Sequence, residues 1–119
     1  MRNRIKIAAV AVLVALTLSV AGCSHSTVDA SSATVIDVRT PAEYTQGHLR
    51  GAVNIDVQAA NFASQIASLP HDGKYLLYCQ SGVRAGQAKT IMNQAGFTDV
   101  TNLGGIQAAS SSTGLPIVT

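Results

Sequence analysis

The chain has 119 residues, 47% of them hydrophobic and 12% charged, which is enough for one domain with a buried core. Its formal net charge is +2, but three of its eight basic residues are Arg2, Arg4 and Lys6. The rest of the chain carries five basic and six acidic side chains. We therefore predict no nucleic-acid partner, and we predict neither a metal site nor a cofactor.

The N-terminus has the pattern of a secretory signal. The basic residues at positions 1–6 precede an uncharged, mostly apolar run over residues 7–20. That run is shorter than the ~20 apolar residues of a membrane-spanning helix and ends in small residues. We predict that residues 1–22 form a signal peptide that is removed from the mature protein.

The end of this signal, Val20-Ala21-Gly22-Cys23, resembles the lipobox of bacterial lipoproteins. The resemblance implies that Cys23 is acylated and becomes the new N-terminus, so that the protein is anchored to a membrane at the periplasmic face or cell surface. Several acyl chains on one cysteine give stable anchoring, whereas a single chain gives marginal binding. The alternatives are an ordinary cleaved signal and an uncleaved N-terminal anchor.

Residues 23–33 are predicted to be the lipidated cysteine and a flexible tether, because residues 24–33 are small and polar and have no periodicity. The folded domain is predicted over residues 34–119. His25 lies in the tether and is interpreted as a solvated side chain, since a histidine without nearby partners does not indicate a metal site.

Two strands and a short helix are predicted in the first half of the domain. Residues 34–38 are β-branched and apolar, as in a strand buried on both faces. Thr40, Pro41 and Glu43 fit a capping box, so a short helix should run through Thr45. A glycine-bracketed turn at residues 47–51 and a strand at residues 52–56 should follow.

His48 lies in that turn and allows two interpretations. It could act as a general base for a cysteine nucleophile, or it could bind nearby backbone and fix the turn. We favour the second, because histidines in turns more often bind backbone and because general-base geometry is not visible in a sequence.

The second half of the domain alternates in the same way. We predict a helix over residues 61–69 with Phe62 in the core, a turn at residues 70–73 and a buried strand at residues 75–78. A helix should begin at Arg84 and end at Gly96. A short strand should follow at residues 100–102. Residues 103–106 should lead into a turn or a weak helix. This alternation predicts an α/β domain with a mainly parallel sheet flanked by helices.

Cys79 stands between the buried strand and the helix, at an end of the sheet where parallel folds bind ligands. Backbone N–H groups of a glycine-containing loop at a helix start favour anions, so this thiol should be partly thiolate. Arg84 adds a positive charge nearby. If Cys23 is lipidated, Cys79 is the one remaining thiol, and an internal disulfide is impossible. The alternative is a buried structural cysteine.

Three segments together resemble the rhodanese homology domain. They are Asp37 to Tyr44, Gly47 to Ile55 and Cys79 to Arg84, and the match continues through residues 95–97 and 102–106. The resemblance implies a three-layer α/β domain with sulfurtransferase activity. The chain departs from the family pattern at three places, none of which includes the nucleophile. Arg50 stands where the family commonly has proline, and Ala85 stands where a small polar residue often follows the arginine. The segment after residue 106 lacks the tryptophan that is often found there.

The resemblance also assigns roles. Cys79 would take a sulfane sulfur from a small anionic donor such as thiosulfate, hold it as a persulfide, and yield it to a thiol or cyanide-like acceptor. Arg84 would close the loop and help to hold the donor. The backbone amides that would cradle the persulfide are those of Gln80, Ser81, Gly82, Val83 and Arg84. The supporting residues would be Asp37, Arg39 and His48. For Arg39, an ordinary salt bridge is at least as good an interpretation as a place at the pocket entrance.

Three rival functions remain open. Cell-cycle phosphatases share the fold and a cysteine loop that ends in arginine, but their loop has five intervening residues where this chain has four between Cys79 and Arg84. A module that stores sulfur or binds a partner without turnover is the second rival. Papain-like Cys–His catalysis is the third, and the short chain without a separate histidine motif disfavours it.

Overall fold

The computed structural model describes residues 27–119, which form four parallel strands and a separate two-stranded sheet together with four helices. The predicted signal peptide, Cys23 and His25 lie outside these residues. In chain order the elements are β1 (Thr34–Asp37), α1 (Pro41–Gln46), β2 (His48–Leu49), β3 (Val53–Asn54), α2 (Phe62–Ala67), β4 (Lys74–Cys79), α3 (Val83–Gln94), β5 (Asp99–Gly105), α4 (Ile106–Thr113) and β6 (Ile117–Val118).

The main sheet has the order β3-β1-β4-β5, and all its neighbouring strands are parallel. Strand β4 lies inside the sheet, and its residues 75–79 are all buried. Both faces of a parallel sheet are normally covered, so a strand in this position is apolar throughout, as the sequence of β4 predicts. The predicted α/β class with a mainly parallel sheet is confirmed.

Side chains alternate along β4 between two cores. Tyr75, Leu77 and Cys79 face a core that includes residues of α2 and α3. Leu76 and Tyr78 face a second core, which includes residues of β2 and α4. The molecule therefore has three layers, as the sequence resemblance implies.

The short first helix is stabilised at its N-terminus as predicted. The Thr40 side chain accepts a hydrogen bond from the Glu43 N–H, the Glu43 carboxylate accepts one from the Thr40 N–H, and Pro41 occupies the first turn. The prediction for α3 is also confirmed. It ends at Gln94, and Gly96 follows with φ +97°, a left-handed conformation that glycine adopts without a steric cost.

Several element boundaries differ from the prediction. Strand β5 runs through residues 99–105, because it continues alongside β4 until Gly105 is level with Cys79. Strand β3 is shorter than predicted because it is an edge strand that pairs only with Ile36 and Asp37. The final turn or weak helix is an eight-residue helix, α4.

The predicted turn at residues 47–51 contains a strand. His48 and Leu49 pair antiparallel with Val118 and Ile117 of β6, which the sequence did not predict. The pairing joins two segments that are far apart in the chain. It also closes one side of the cleft described below, because Gly47 and Ile117 both line that cleft.

The described part of the predicted tether, residues 27–33, packs against the domain. The Val28 N–H donates to the Ser112 carbonyl at 2.9 Å, and the Lys74 ammonium donates to the Asp29 carbonyl at 3.1 Å. Val28, Ala30 and Ala33 contact the second core. These contacts differ from the expectation of a free segment.

None of the helices within residues 27–119 is long and apolar enough to cross a bilayer.

Candidate active site

Cys79 is the last residue of β4, and its side chain is fully buried. Three residues later Gly82 has φ +96°, which reverses the chain so that α3 begins at Val83. A residue with a Cβ would be strained in this conformation. The local sequence thus places the thiol at the carboxyl end of a parallel strand and the N-terminus of a 12-residue helix.

Backbone N–H groups surround the sulfur. The Gly82 N–H donates to the Cys79 Sγ, with the nitrogen 2.9 Å from the sulfur. Burial raises the pKa of the Cys79 thiol, but hydrogen bonds from the N–H groups of Ala85, Ser81, Gly82 and Arg84 outweigh it and bring the pKa below its ordinary value. These donors stabilise the thiolate, which is the nucleophilic form of cysteine.

Arg84 makes a two-point ion pair with Glu43 in the first turn of α1. Its Nη1 lies 2.7 Å from Oε1, and its Nη2 lies 2.9 Å from Oε2. This pair lowers the pKa of Glu43 to about 2 and raises the pKa of Arg84. The guanidinium is thus fixed beside the loop by a carboxylate. The direct role of Arg84 in holding a donor stays a prediction.

The loop rests on the end of β5. The Asn102 Nδ2 donates to the Gly82 carbonyl at 3.0 Å, and the Asn102 Oδ1 accepts from the Gly104 N–H at 2.8 Å. A Cβ on Gly105 would lie 2.5 Å from the Gln80 carbonyl oxygen, and one on Gly82 would lie 3.2 Å from the Gly104 Cα. Glycine therefore allows the loop, at Gly82, and the strand β5, at Gly105, to approach each other this closely.

The sequence predicts no site role for this supporting segment or for Glu43. The one available signal was the glycine pair at residues 104 and 105, which follows the end of a predicted strand. Adjacent glycines at such a place often mark a close approach of two backbones.

Asp37 and Arg39 form a buried ion pair. Nη2 of Arg39 lies 2.6 Å from Oδ2 of Asp37, and Nη2 also donates to the Gly47 carbonyl at 2.6 Å. The Asp37 side chain is 0% exposed and the Arg39 side chain is 5% exposed. Of the two interpretations of Arg39 that the sequence allows, the ordinary salt bridge is thus observed. The pair connects β1 to the end of α1, and its role in supporting the site stays a prediction.

His48 binds backbone as predicted. Its Nδ1 lies 2.9 Å from the Tyr44 carbonyl oxygen, and its ring stacks on the Tyr44 ring with centroids 3.8 Å apart. The Tyr44 hydroxyl in turn donates to the Ala52 carbonyl. These contacts account for His48 as a residue that stabilises the segment between α1 and β3.

An open cleft of about 360 Å³ lies beside the cysteine loop. Its lining residues are Arg39, Glu43, Gln46, Gly47, Gln80, Ile106, Gln107 and Ile117. A second concavity, of about 400 Å³, lies between residues 28–31 and the end of α4 and contains no residue of the cysteine loop. The first cleft is the one of these two that a residue of the cysteine loop, Gln80, lines, so it is the candidate approach to the buried Cys79.

Comparisons with known proteins agree with this geometry. The family model described as "Rhodanese-like domain" matches residues 24–112. The thiosulfate sulfurtransferase PspE of Escherichia coli is 38% identical over 72 residues, which are 60% of this chain and 69% of that protein. A sulfurtransferase of Allochromatium vinosum is 34% identical over 95 residues, which are 80% of this chain and 87% of that protein.

A solved structure described as a rhodanese with anions from E. coli superposes with a TM-score of 0.60 and 34% sequence identity. The superposition covers 72% of this chain and 96% of that one. The match of the family model over most of the chain and the sequence relatives lead to the same conclusion: the chain belongs to the rhodanese-like domain family, whose homologues include sulfurtransferases.

Proposed function

We propose that this protein is a membrane-anchored, extracytoplasmic sulfurtransferase that carries a sulfane sulfur on Cys79. One observation carries the proposed chemistry of Cys79: its buried sulfur accepts the Gly82 N–H, and the surrounding amides lower the thiol pKa. A structural cysteine has no need of an anion-stabilising loop. The sulfurtransferase relatives support sulfur transfer as the use of that thiolate.

The reaction has two halves. In the first, the Cys79 thiolate attacks the outer sulfur of a donor such as thiosulfate. A Cys79 S–S bond forms, the donor's own S–S bond breaks, and its electron pair leaves with sulfite. In the second, a thiol or cyanide attacks the outer sulfur of the persulfide, and the Cys79 thiolate is regenerated. No net oxidation of the enzyme occurs over the cycle.

The amides of the loop act in both halves. The outer sulfur of the persulfide carries negative charge after the first transfer, and N–H groups fixed in the folded protein stabilise such charge without reorganisation. The same groups stabilise the departing Cys79 thiolate in the second half. Leaving-group ability improves as the thiol pKa falls, so a lowered pKa favours release of the sulfur.

Phosphate-ester hydrolysis is the rival function that an experiment must distinguish from sulfur transfer. We expect the purified full chain to convert thiosulfate and cyanide to sulfite and thiocyanate, with that turnover lost in Cys79→Ser. The same samples should be assayed with an aryl phosphate ester. Faster release of phosphate than of sulfite would overturn the proposal, and so would unchanged sulfite production by Cys79→Ser.

The proposed membrane anchor rests on the sequence at residues 1–23. Its test is metabolic labelling with a fatty-acid analogue in a bacterial host, followed by separation of membrane and soluble fractions. We expect label and membrane association for the wild type and neither for Cys23→Ser. Label on the Cys23→Ser variant, or an unlabelled wild type, would contradict the anchor and leave the proposed chemistry of Cys79 unaffected.

A further inference from the structure

The cleft beside Cys79 is polar, but its polar side chains are mostly uncharged. Three glutamines line it, one from the end of α1, one from the cysteine loop and one from the first turn of α4: Gln46, Gln80 and Gln107. Two isoleucines, Ile106 and Ile117, complete its apolar part. Amide groups donate and accept hydrogen bonds without contributing net charge.

The two charged side chains that line the cleft, Arg39 and Glu43, are each held in an ion pair. Arg39 lines the cleft and is paired with Asp37, and Arg84 beside it is paired with Glu43. Within the second pair the carboxylate is the more exposed group, with 31% of the Glu43 side chain accessible against 20% for Arg84. A ligand entering the cleft thus meets the carboxylate at least as much as the guanidinium.

This arrangement disfavours a doubly charged donor. Thiosulfate is a dianion, and its target, the Cys79 thiolate, is itself negative. No net side-chain charge at the entrance offsets their repulsion at long range or raises the local concentration of the dianion, because the loop amides act at short range and already donate to the Cys79 sulfur. A donor with one negative charge or none experiences less repulsion and can still form hydrogen bonds with the glutamine amides.

We propose that the cleft selects sulfane-sulfur donors of low charge, such as an alkyl hydropersulfide, over the thiosulfate dianion, with Gln107 and the Glu43–Arg84 pair as specificity-determining residues. The inference rests on the proposed function of Cys79. The step is balanced: the thiolate bonds to the outer sulfur of the hydropersulfide, the donor's S–S bond breaks, the alkyl thiolate departs, and the proton stays with the transferred sulfur.

The test measures the first half-reaction alone, so that the acceptor does not intervene. The full chain is mixed with thiosulfate or with the hydropersulfide of N-acetylcysteine methyl ester and quenched with iodoacetamide. Mass spectrometry then follows sulfur on the Cys79 peptide. Because the two donors differ in intrinsic reactivity, the informative quantity is how each rate responds to charge and salt.

Gln107→Lys adds one cation at the cleft. We expect it to raise the thiosulfate rate constant roughly fivefold or more and to change the hydropersulfide rate constant less than about twofold. Gln107→Met is the uncharged control and should not raise the thiosulfate rate. Gln94→Lys is the remote control, because its position at the end of α3 is about 17 Å along the helix from Val83.

Salt gives an independent readout. For the wild type, the thiosulfate rate should stay level or rise with ionic strength, whereas for Gln107→Lys it should fall. A wild-type thiosulfate rate that falls steeply with salt, or a Gln107→Lys variant no faster than Gln107→Met, would overturn the inference. Matching thermal unfolding of the variants shows that folding is unaffected. If no donor places sulfur on Cys79, the proposed function itself is wrong.

Discussion

Gln80 and Gly105 approach each other so closely that a Cβ on Gly105 would lie 2.5 Å from the Gln80 carbonyl oxygen. The contact follows from the sheet, because Gly105 is the residue of β5 that lies level with Cys79 of β4. The backbone of the cysteine loop therefore rests directly on the backbone of the neighbouring strand.

Gly105→Ala should displace the loop and with it the amides that surround the sulfur. We expect sulfur transfer to fall at least about tenfold, since a shift of about 1 Å in a site can cost about a hundredfold. Overpacking should also reduce the free energy of unfolding by about 1–3 kcal/mol. Rates of Cys79 persulfide formation and urea unfolding curves measure the two effects.

Gly86→Ala is the matched control. A Cβ there would meet the Asn102 amide nitrogen at 3.5 Å, an ordinary contact, and Gly86 lies inside α3. Alanine should stabilise that helix by about 0.5–1 kcal/mol and leave sulfur transfer unchanged. Equal activity in Gly105→Ala and Gly86→Ala would show that the close contact does not position the loop.

The thiol pKa predicts how alkylation of Cys79 depends on pH. Thiolate is the reacting form, so the rate rises with pH and levels off above the pKa. Because the loop amides lower that pKa, the folded protein should reach half its maximal rate at a lower pH than an unperturbed cysteine does. Iodoacetamide alkylation of the Cys79 peptide measures the profile.

The same chain in concentrated urea supplies the reference profile. Its midpoint should lie higher, because unfolding removes the amides from the sulfur. Burial of Cys79 can slow the folded protein at every pH without moving the midpoint, so the comparison uses midpoints and not absolute rates. A folded midpoint equal to or above the unfolded one would contradict the proposed stabilisation of the thiolate.

The Glu43–Arg84 pair should contribute to stability in a pH-dependent way. The pKa of Glu43 is lowered from 4.5 to about 2, so its contribution is fully present above pH 4.5 and is lost as pH falls towards 2. Glu43→Gln keeps the helix cap and removes the charge. We expect it to lower the free energy of unfolding by about 0.5–1 kcal/mol at pH 7, with the difference vanishing near pH 2.

Urea unfolding at pH 7, 4, 3 and 2 measures that difference. Asp99→Asn is the control, because it removes an exposed carboxylate at the start of β5 that forms no salt bridge among the described residues. A difference for Glu43→Gln that is constant over this range would show that the ion pair does not account for its effect.

Arg39→Met should lower the free energy of unfolding far more than Glu43→Gln does. Arg39→Met leaves the fully buried Asp37 carboxylate without its partner, and breaking such a pair costs about 3–5 kcal/mol. Arg50→Met, at an exposed position, should change the unfolding free energy by less than about 0.5 kcal/mol. The measurement is chemical denaturation of each variant.

The double variant Asp37→Leu/Arg39→Met separates the ion pair from its surroundings. It leaves no unpaired charge, so it should be less destabilised than Arg39→Met alone. With Asp37→Leu as the second single variant, a double variant that is as unstable as the sum of the two single variants would show that the pair has no energetic coupling.

What could be predicted from the sequence was mainly local. The capping box at Thr40 and Glu43, the buried strand before Cys79 and the left-handed Gly96 each depend on a few neighbouring residues, and the structure confirms them. The site loop was visible for the same reason, because its strand, glycine and helix follow one another directly in the chain.

What could not be predicted depends on distant segments. Strand β2 exists because β6 pairs with it, and a two-residue strand has no periodicity to reveal it. Glu43 and Arg84 are 41 residues apart, so their ion pair is visible only once α1 and the loop are in place. The packing of residues 28–33 likewise requires the end of α4 as its partner.

The central claim is that Cys79 accepts a sulfane sulfur, and peptide mass spectrometry measures it most directly. After exposure to thiosulfate or an alkyl hydropersulfide, the wild type should gain the mass of one sulfur atom on the Cys79 peptide, and a thiol reductant should remove it. Cys79→Ser should gain none at that position. A wild-type protein without this reversible adduct, or with sulfur only on another residue, would contradict the account.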